Sequence, residues 1–500
     1  MTNYRSIAKS FIWVSVIFVF SKILGFAREM TLAATFGASF ETDAFFVAII
    51  IPTIIFANVF GTLQATVIPV YTRIKNYEPE EAAKLATALF YGTVMISLVF
   101  IFLGFNFTTY IVKMLAPSFT GETFLLTVKL ARIMIFAVPF IALKSLATAL
   151  LQYHNSFLIP AAAGIPYSII LIIATLCFGH KYGVAAVAIA LILGYLCQLL
   201  IQVPQLLKLK VFDNNIILYH PGMKEIVVLT IPVLLGIIGN ELNLIVDRIL
   251  ASGLTEGSIS SLNFAHQLSM MPAGLFGIAL VTVFYPQLNK LANKESLLEF
   301  KDCLERAATA LIFLLAPMML GFIILRIPIV QMLFQRGAFD EKATAMTAVA
   351  LLYYSPGLLA VALNGLLART FYSLHDTKIP VLVTLISVTL NIILNLVLIR
   401  YMAHAGLALA TSIAAIVGLM LNIILLSRKI GGLNWGTLFK AAAKIFGTAS
   451  FMGLVVWWVN LCLTPVCQVA SKVYQAVILF LIIGLGTLIY FLISYLLKMK

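Results

Sequence analysis

The stretch GVAAVAIALILGYLCQLLIQVPQLL, residues 183–207, contains no charged side chain. About 20 mostly apolar residues are enough for an α-helix to cross the hydrocarbon core of a bilayer, so this stretch predicts a membrane span. Outward from it the chain holds thirteen more runs of this kind. The fourteen predicted spans are 7–27, 43–70, 85–108, 124–151, 158–179, 183–207, 226–250, 260–288, 304–325, 343–371, 379–399, 405–427, 441–462 and 473–497.

The composition of the 500-residue chain supports this interpretation, with 62% hydrophobic and 10% charged residues. Soluble globular proteins are about 45–50% apolar and about 25% charged. These values exclude a cytosolic enzyme, a secreted disulfide scaffold and a disordered regulator, and the long apolar runs are unlike the alternating segments of a porin. No P-loop, HExxH, GxSxG or cysteine cluster occurs. We therefore predict a polytopic all-α membrane protein that is not an enzyme.

The net charge of +14 has a different meaning in a membrane protein than in a soluble one. In a membrane protein, positive charge indicates how the spans are oriented and an attraction to anionic lipid headgroups, rather than a nucleic-acid partner. Loops on the side of the N-terminus hold eighteen Lys and Arg residues and the opposite loops hold seven. We expect both termini in the cytoplasm, which requires an even number of spans, as fourteen is.

An internal repeat divides the chain. Three pairs of residues are 220 positions apart in similar surroundings, namely Arg28 with Arg248, Pro52 with Pro272, and Pro160 with Pro380. YGVAAVAIA at 182–190 also resembles AGLALATSI at 405–413, with an offset of 223. The repeat predicts two six-helix lobes, 1–208 and 220–430, related by a pseudo-two-fold axis along the membrane normal, and two further helices in 438–500. Such halves are typical of transporters, although gene duplication in a purely structural bundle is the alternative.

Eight basic residues lie inside predicted spans, where a charge is costly and indicates function. Lys129, Lys144 and Lys444 lie near span ends, from which long side chains can reach the headgroups. Arg132 lies deeper in its span. The eight are Lys22, Arg28, Lys129, Arg132, Lys144, Arg248, Arg369 and Lys444.

Two clusters are candidate sites. Lys22, Arg28 and Asp43 lie near one end of the first two spans and could bind an anion such as phosphate; the alternative is a structural Arg28–Asp43 ion pair. In the second half Asp247 and Arg248 lie on the seventh span. Asn391 and Asn395 share a face of the eleventh, and Thr411 lies on the twelfth. Oxygen ligands of this kind suit Na⁺ or a proton relay, and the alternative is hydrogen bonding between helices.

Several segments resemble the MurJ/MviN family of bacterial lipid II flippases, in the MOP superfamily. The most specific are FSKILGFAREMTLAATFGASFETDAFFVA (20–48) and FYSLHDTKIPV (371–381), and the others are EGSISSLNFAHQL (256–268), PAGLFGIALVTVFYPQL (272–288) and LFQRGAF (333–339). The family's architecture is twelve plus two spans.

The resemblance implies transfer of undecaprenyl-diphosphate-linked peptidoglycan precursor from the inner to the outer leaflet of the bacterial cytoplasmic membrane by alternating access. It implies that 438–500 holds the lipid tail and that no cofactor is needed beyond Na⁺ or H⁺ as coupling ion. The expected partners are this substrate and membrane lipids, and we expect a monomer. The resemblance places Lys22, Arg28, Asp43 and Arg248 in the substrate cavity, and Asp247, Asn391, Asn395 and Thr411 in a Na⁺ site.

The chain departs from the family at two cavity positions. Gln267 stands where many relatives have an arginine, and the second span lacks the arginine of some relatives. Another polyprenyl-linked glycan, as for capsule or exopolysaccharide, is therefore an alternative substrate. A MATE-like antiporter of organic cations is a further alternative, against which the basic first span argues. A scaffold in envelope assembly leaves the charges in the spans unexplained.

Overall fold

The computed structural model describes the backbone of residues 2–292, 297–432, 435–469 and 471–497. Its side chains are described from residue 13 onward, with gaps at 235–240, 278, 293–296, 433–435, 464–470 and 498–500.

The described residues are helical almost throughout, and no β-strand occurs among them. In the first half the helices are α1 (Thr2–Phe36), α2 (Phe40–Ala48), α3 (Ala57–Gly61), α4 (Leu63–Tyr77), α5 (Pro79–Leu115), α6 (Gly121–Met134), α7 (Val138–Tyr153), α8 (Leu158–Ala162), α9 (Gly164–Tyr182), α10 (Val184–Leu200) and α11 (Val203–Lys208). In the second half they are α12 (Pro221–Ala251), α13 (Ser258–Pro272), α14 (Ile278–Ala292), α15 (Leu297–Phe334), α16 (Glu341–Ser373), α17 (Lys378–Met402), α18 (His404–Lys429), α19 (Trp435–Val469) and α20 (Lys472–Leu496).

Eleven helical segments of the described chain are long and apolar enough to cross a bilayer, and α13 with α14 makes a twelfth if this bent pair is one span. The predicted spans 7–27 and 226–250 lie within α1 and α12, which are not among the eleven. The prediction of a polytopic helical protein is confirmed, whereas the count of fourteen spans is not.

The two halves of the chain turn at matching positions. Backbone φ is positive at Asn155 and His375, and again at Gly183 and Ala403, each pair being 220 residues apart. α10 and α18 begin directly after the second pair. The helices therefore keep the offset of 220 at this point, and the sequence likeness at an offset of 223 is out of register with them by nearly one turn.

The backbone conformation of Ala403 is imposed by the surrounding fold rather than by the residue type. Its φ of 47° and ψ of −130° resemble the 63° and −161° of Gly183. Residues other than glycine rarely adopt such a conformation, which costs about 1–3 kcal/mol. The surrounding helices therefore hold Ala403 in a conformation that its side chain disfavours.

A π-helical turn interrupts the second span of each half. The first, Ile51–Phe56, contains Pro52, and the second, Ala273–Gly277, directly follows Pro272. Proline has no backbone N–H and its ring crowds the preceding turn, and single wide turns of this kind relieve such a break. The paired prolines thus mark paired irregularities.

The chain consists of two compact units, Met1–Ser260 with Gly337–Phe339, and Ser261–Arg336 with Asp340–Lys500. Each unit has its own apolar core, which includes the fully buried Tyr71 in the first and the fully buried Phe300 and Phe371 in the second. These two units are defined by how the helices pack, whereas the predicted lobes are defined by a sequence repeat. The units therefore do not test the lobe boundaries. The lobes 1–208 and 220–430 and the pair in 438–500 stay a prediction.

Candidate functional site

The end of α1 and the loop that follows it pack backbone against backbone with residues 337–338 in the first unit. A Cβ added at Gly337, where φ is +59°, would lie 2.1 Å from the carbonyl oxygen of Ala34. Ala338 N–H donates to the same carbonyl oxygen at 2.8 Å. Because real Cβ atoms do not approach an oxygen so closely, only glycine fits at position 337 without a shift of the backbone.

The turn between α12 and α13 contacts the same loop. Its exposed Glu256 accepts a hydrogen bond from the backbone N–H of Phe40 through Oε1, at 2.8 Å. Two loops far apart in sequence thus meet where α2 begins.

Asp43 joins α2 to the start of α13. Its side chain is buried, and its two carboxylate oxygens accept from Gly257 N–H at 2.8 Å and from Ser260 N–H at 2.7 Å. The first amides of a helix have no partner within the helix and attract negative charge. Asp43 therefore caps α13, and its carboxylate is satisfied by backbone donors.

Arg248 lies beside this cap. Its guanidinium donates to the carbonyl oxygen of Ile259 at 2.8 Å and lies over the ring of Phe46, with 5.7 Å to the ring centroid. It is also near enough to attract the Asp43 carboxylate electrostatically. The buried cation and the buried carboxylate thus flank the same turn of the chain.

Arg28 lies in a different polar cluster of the first unit. Its Nη2 donates to Oε1 of Glu29 at 2.7 Å, and its guanidinium lies 5.3 Å from the ring centroid of Tyr167. The ring of Tyr195, on α10, is 4.9 Å from that of Tyr167, between centroids. The Arg28 side chain keeps 23% exposure, so its guanidinium is held on one side and accessible on another.

The structure does not form the ion pair that was the alternative for the first cluster. Among the described residues the only carboxylate within 4.0 Å of Arg28 belongs to Glu29, and Asp43 has no ion pair. Lys22 is exposed, with its ammonium 5.5 Å from the ring centroid of Phe18. The prediction that Lys22, Arg28, Asp43 and Arg248 bind substrate stays a prediction.

The amides of the predicted cation site form a chain of hydrogen bonds in the second unit. Asn395 Nδ2 donates to Asn391 Oδ1 at 2.8 Å, and Asn391 Nδ2 donates to Thr411 Oγ1 at 3.3 Å. Thr411 Oγ1 donates to the carbonyl oxygen of Leu407 at 3.0 Å. Both asparagines are fully buried. Asp247 belongs to the first unit, so its part in a cation site stays a prediction.

Sequence reasoning missed Glu29, Tyr167 and Tyr195. Glu29 lies beside Arg28 in the quoted FAREM stretch, but neighbours in a helix do not normally face each other. Tyr167 and Tyr195 lie in apolar runs of α9 and α10. The hydroxyl group of each, which needs a polar partner when buried, was the sequence feature that could have indicated them. Gln267, which the resemblance places at the position of an arginine in many relatives, is exposed.

Comparison with known proteins agrees with this fold. The family model "Lipid II flippase MurJ" matches residues 32–477. A probable lipid II flippase MurJ of Buchnera aphidicola (subspecies Acyrthosiphon pisum) is 34% identical over 440 residues, which cover 85% of this chain and 84% of the relative.

Solved structures give the same result. A lipid II flippase MurJ in an inward closed conformation has a TM-score of 0.84 and 26% identity, covering 97% of this chain and 98% of that one. A multidrug MATE transporter of the MOP superfamily, in an inward-facing conformation, has a TM-score of 0.68 at 12% identity, covering 85% of this chain and 99% of that one. The second likeness shows a shared fold alone. The extent of the family match and of the relatives' coverage shows that the chain belongs to the MurJ family.

Proposed function

We propose that this chain is a lipid II flippase, a multi-pass protein of the bacterial inner membrane that carries a lipid-linked peptidoglycan precursor between leaflets. The observation that carries the proposal is the likeness to a lipid II flippase over 97% of this chain. Its role is transport rather than catalysis. We further propose that both termini face the cytoplasm and that a monomer is sufficient.

Arg28 is the residue best placed to bind the substrate's diphosphate. A diphosphate cannot enter a low-dielectric cavity without cations beside it, and a guanidinium binds phosphate oxygens through paired N–H donors. Arg28 has five such donors, of which one is used by Glu29. Glu29 and the Tyr167 ring fix the guanidinium while leaving donors for a ligand.

Asp43 has a different role in this proposal. Because its oxygens are occupied by the start of α13, it controls the contact between α2 and that turn rather than binding substrate. Alternating access requires contacts that form in one state and break in another. We propose that the Asp43 cap is one of them, with Arg248 compensating its charge.

Complementation tests the function. A bacterium depleted of its own lipid II flippase and expressing this chain should expose lipid II in the outer leaflet. Arg28→Ala should lower this exposure by at least about tenfold, since a hydrogen bond to a charged group contributes about 1.5–3 kcal/mol. Arg73→Ala is the matched control, because it removes the same charge from an exposed pair with Glu225.

Two results would count against the proposal. Failure to rescue growth, with the protein present in the membrane, would favour another polyprenyl-linked glycan as substrate. Equal activity of both arginine variants would contradict the assignment of Arg28.

The coupling ion is a separate proposal. Two amide oxygens, a hydroxyl and a backbone carbonyl converge at Asn391, Asn395, Thr411 and Leu407, and Na⁺ prefers oxygen ligands of this kind. The donors described there are neutral, so they fit a weakly bound monovalent cation. We propose that Na⁺ binding at these residues, or alternatively proton movement, drives transport.

A pair of asparagine variants tests the sodium proposal. Asn395→Ala should remove any dependence of lipid II exposure on Na⁺ over K⁺. Asn364→Ala should keep that dependence, since Asn364 takes part in another amide network of α16 and α18, donating to Ala415 O and accepting from Asn422 at 2.9 Å each. The same loss in both variants would mean that Asn395 only joins helices.

A further inference from the structure

A groove on the first unit carries two cations that the proposed function does not use. Its volume is about 490 Å³, and it lies among α5, α6, α10 and the short turn after α6. The residues that matter here are Phe105, Leu125, Lys129, Arg132, Phe136 and Ile192.

Lys129 and Arg132 have no anionic partner among the described residues. They are three positions apart on α6 and therefore share a face, and both are exposed. The Arg132 guanidinium lies 5.3 Å from the ring centroid of Phe105. No carboxylate of the described chain is within 4.0 Å of either cation, and the nearest acid earlier on α6 is Glu122, two turns before Lys129.

The rest of the groove is apolar and open. Leu125 is 67% exposed, Phe136 46% and Phe105 41%. In a chain that crosses a membrane, exposed apolar side chains of this kind face acyl chains. The groove thus pairs two cations with a wall that suits a hydrocarbon chain.

The position of the cations along their span fits a headgroup. The span Gly121–Tyr153 has 33 residues and is about 50 Å long at 1.5 Å per residue, whereas the hydrocarbon core is about 30 Å thick. A centred span places both cations within about 10 Å of the boundary nearest the loop 116–120. Their long side chains can reach phosphates from there.

We propose that this groove binds one anionic membrane lipid from the leaflet on the side of the loop 116–120. Its phosphate contacts Lys129 and Arg132, and one acyl chain lies along Phe105 and Phe136. A zwitterionic lipid brings its own ammonium group, for which the described groove has no carboxylate. The absence of a carboxylate near either cation therefore selects a lipid with net negative charge.

Native mass spectrometry of the purified full-length chain tests this proposal. The protein in detergent is titrated with phosphatidylglycerol, phosphatidylethanolamine or inorganic phosphate. The double variant Lys129→Gln/Arg132→Gln should weaken the first phosphatidylglycerol binding about 30-fold, or about fivefold for each cation. Lys129→Arg/Arg132→Lys should retain binding because it keeps both charges.

The control is Lys208→Gln/Lys210→Gln, which removes two exposed charges at the end of α11, outside the groove, and should weaken the first binding event much less than the groove variant does. The proposal is overturned if the groove variant binds phosphatidylglycerol normally, or if the control loses as much. It is also overturned if phosphatidylethanolamine or free phosphate binds as tightly as phosphatidylglycerol. Thermal unfolding should be the same for all variants, since every substituted side chain is exposed.

Discussion

Asp43→Asn should loosen the start of α13 while the rest of the first unit stays folded. The carboxylate accepts from Gly257 N–H and Ser260 N–H at 2.8 and 2.7 Å, but an asparagine keeps one acceptor oxygen and turns an NH₂ group toward the second donor. Loss of one hydrogen bond to a buried charged acceptor costs about 2–3 kcal/mol. This cost corresponds to about a 30- to 150-fold increase in local opening.

Hydrogen–deuterium exchange of the peptide spanning 254–262 measures this opening. Glu256→Gln is the matched control in the same turn, because Glu256 is exposed and accepts one backbone N–H, from Phe40. Its amide oxygen can still accept, so we expect less than about a threefold change. Each variant removes one negative charge, so the difference between their exchange rates measures the effect of burying the Asp43 carboxylate.

The reasoning about Asp43 fails under two results. Unchanged exchange in Asp43→Asn would mean that the cap does not hold the turn. Equal acceleration in Asp43→Asn and Glu256→Gln would mean that net charge, rather than the buried hydrogen bonds, controls the opening.

Two further predictions concern stability in detergent. Gly337→Ala should lower the melting temperature by several degrees, because its Cβ would lie 2.1 Å from Ala34 O at a φ of +59°, and scanning fluorimetry that shows no change would contradict this close approach. The Lys429 ammonium, together with the first amides of α17, lowers the pKa of the Asp376 carboxyl. Above its ordinary pKa of about 3.9 the carboxylate therefore stabilises the fold, and this contribution is lost as the pH falls through the lowered pKa. The advantage of wild type over Asp376→Asn in melting temperature should persist from pH 7 to 5 and disappear at lower pH.

Sequence alone predicts much of this fold because lipid imposes a simple rule. A span must satisfy its own backbone hydrogen bonds and present apolar side chains, so the run 379–399 falls within the single helix α17 and the run 183–207 is covered almost entirely by α10 and α11, which together form one candidate span. The rule does not fix the number of spans, since the predicted spans 7–27 and 226–250 lie within α1 and α12, which are not among the eleven segments found in the described chain. The rule also does not show which residues of the two halves correspond. The sequence likeness at 405–413 has an offset of 223, whereas the turns before α10 and α18 have an offset of 220.

The candidate site was less predictable because its contacts are long-range. Asp43 accepts from residues more than 200 positions away, and no local spacing in the sequence indicates such a pair. Arg28 pairs with its neighbour Glu29 and also lies over the ring of Tyr167 on α9, which in turn contacts the ring of Tyr195 on α10. By contrast Asn391 and Asn395 are four apart on one helix, so their contact follows from helical periodicity.

The matched turns at Gly183 and Ala403 are reference positions from which the two halves can be aligned. The residue types at these two positions differ, whereas the backbone has a positive φ at both and the turns are 220 residues apart. An alignment of the halves anchored on such turns needs no gap between Pro160 and Tyr182, whereas an alignment based on similar residues introduces a gap there. The backbone torsions of these turns thus give the offset between the two halves more consistently than the amino acids at 405–413 do.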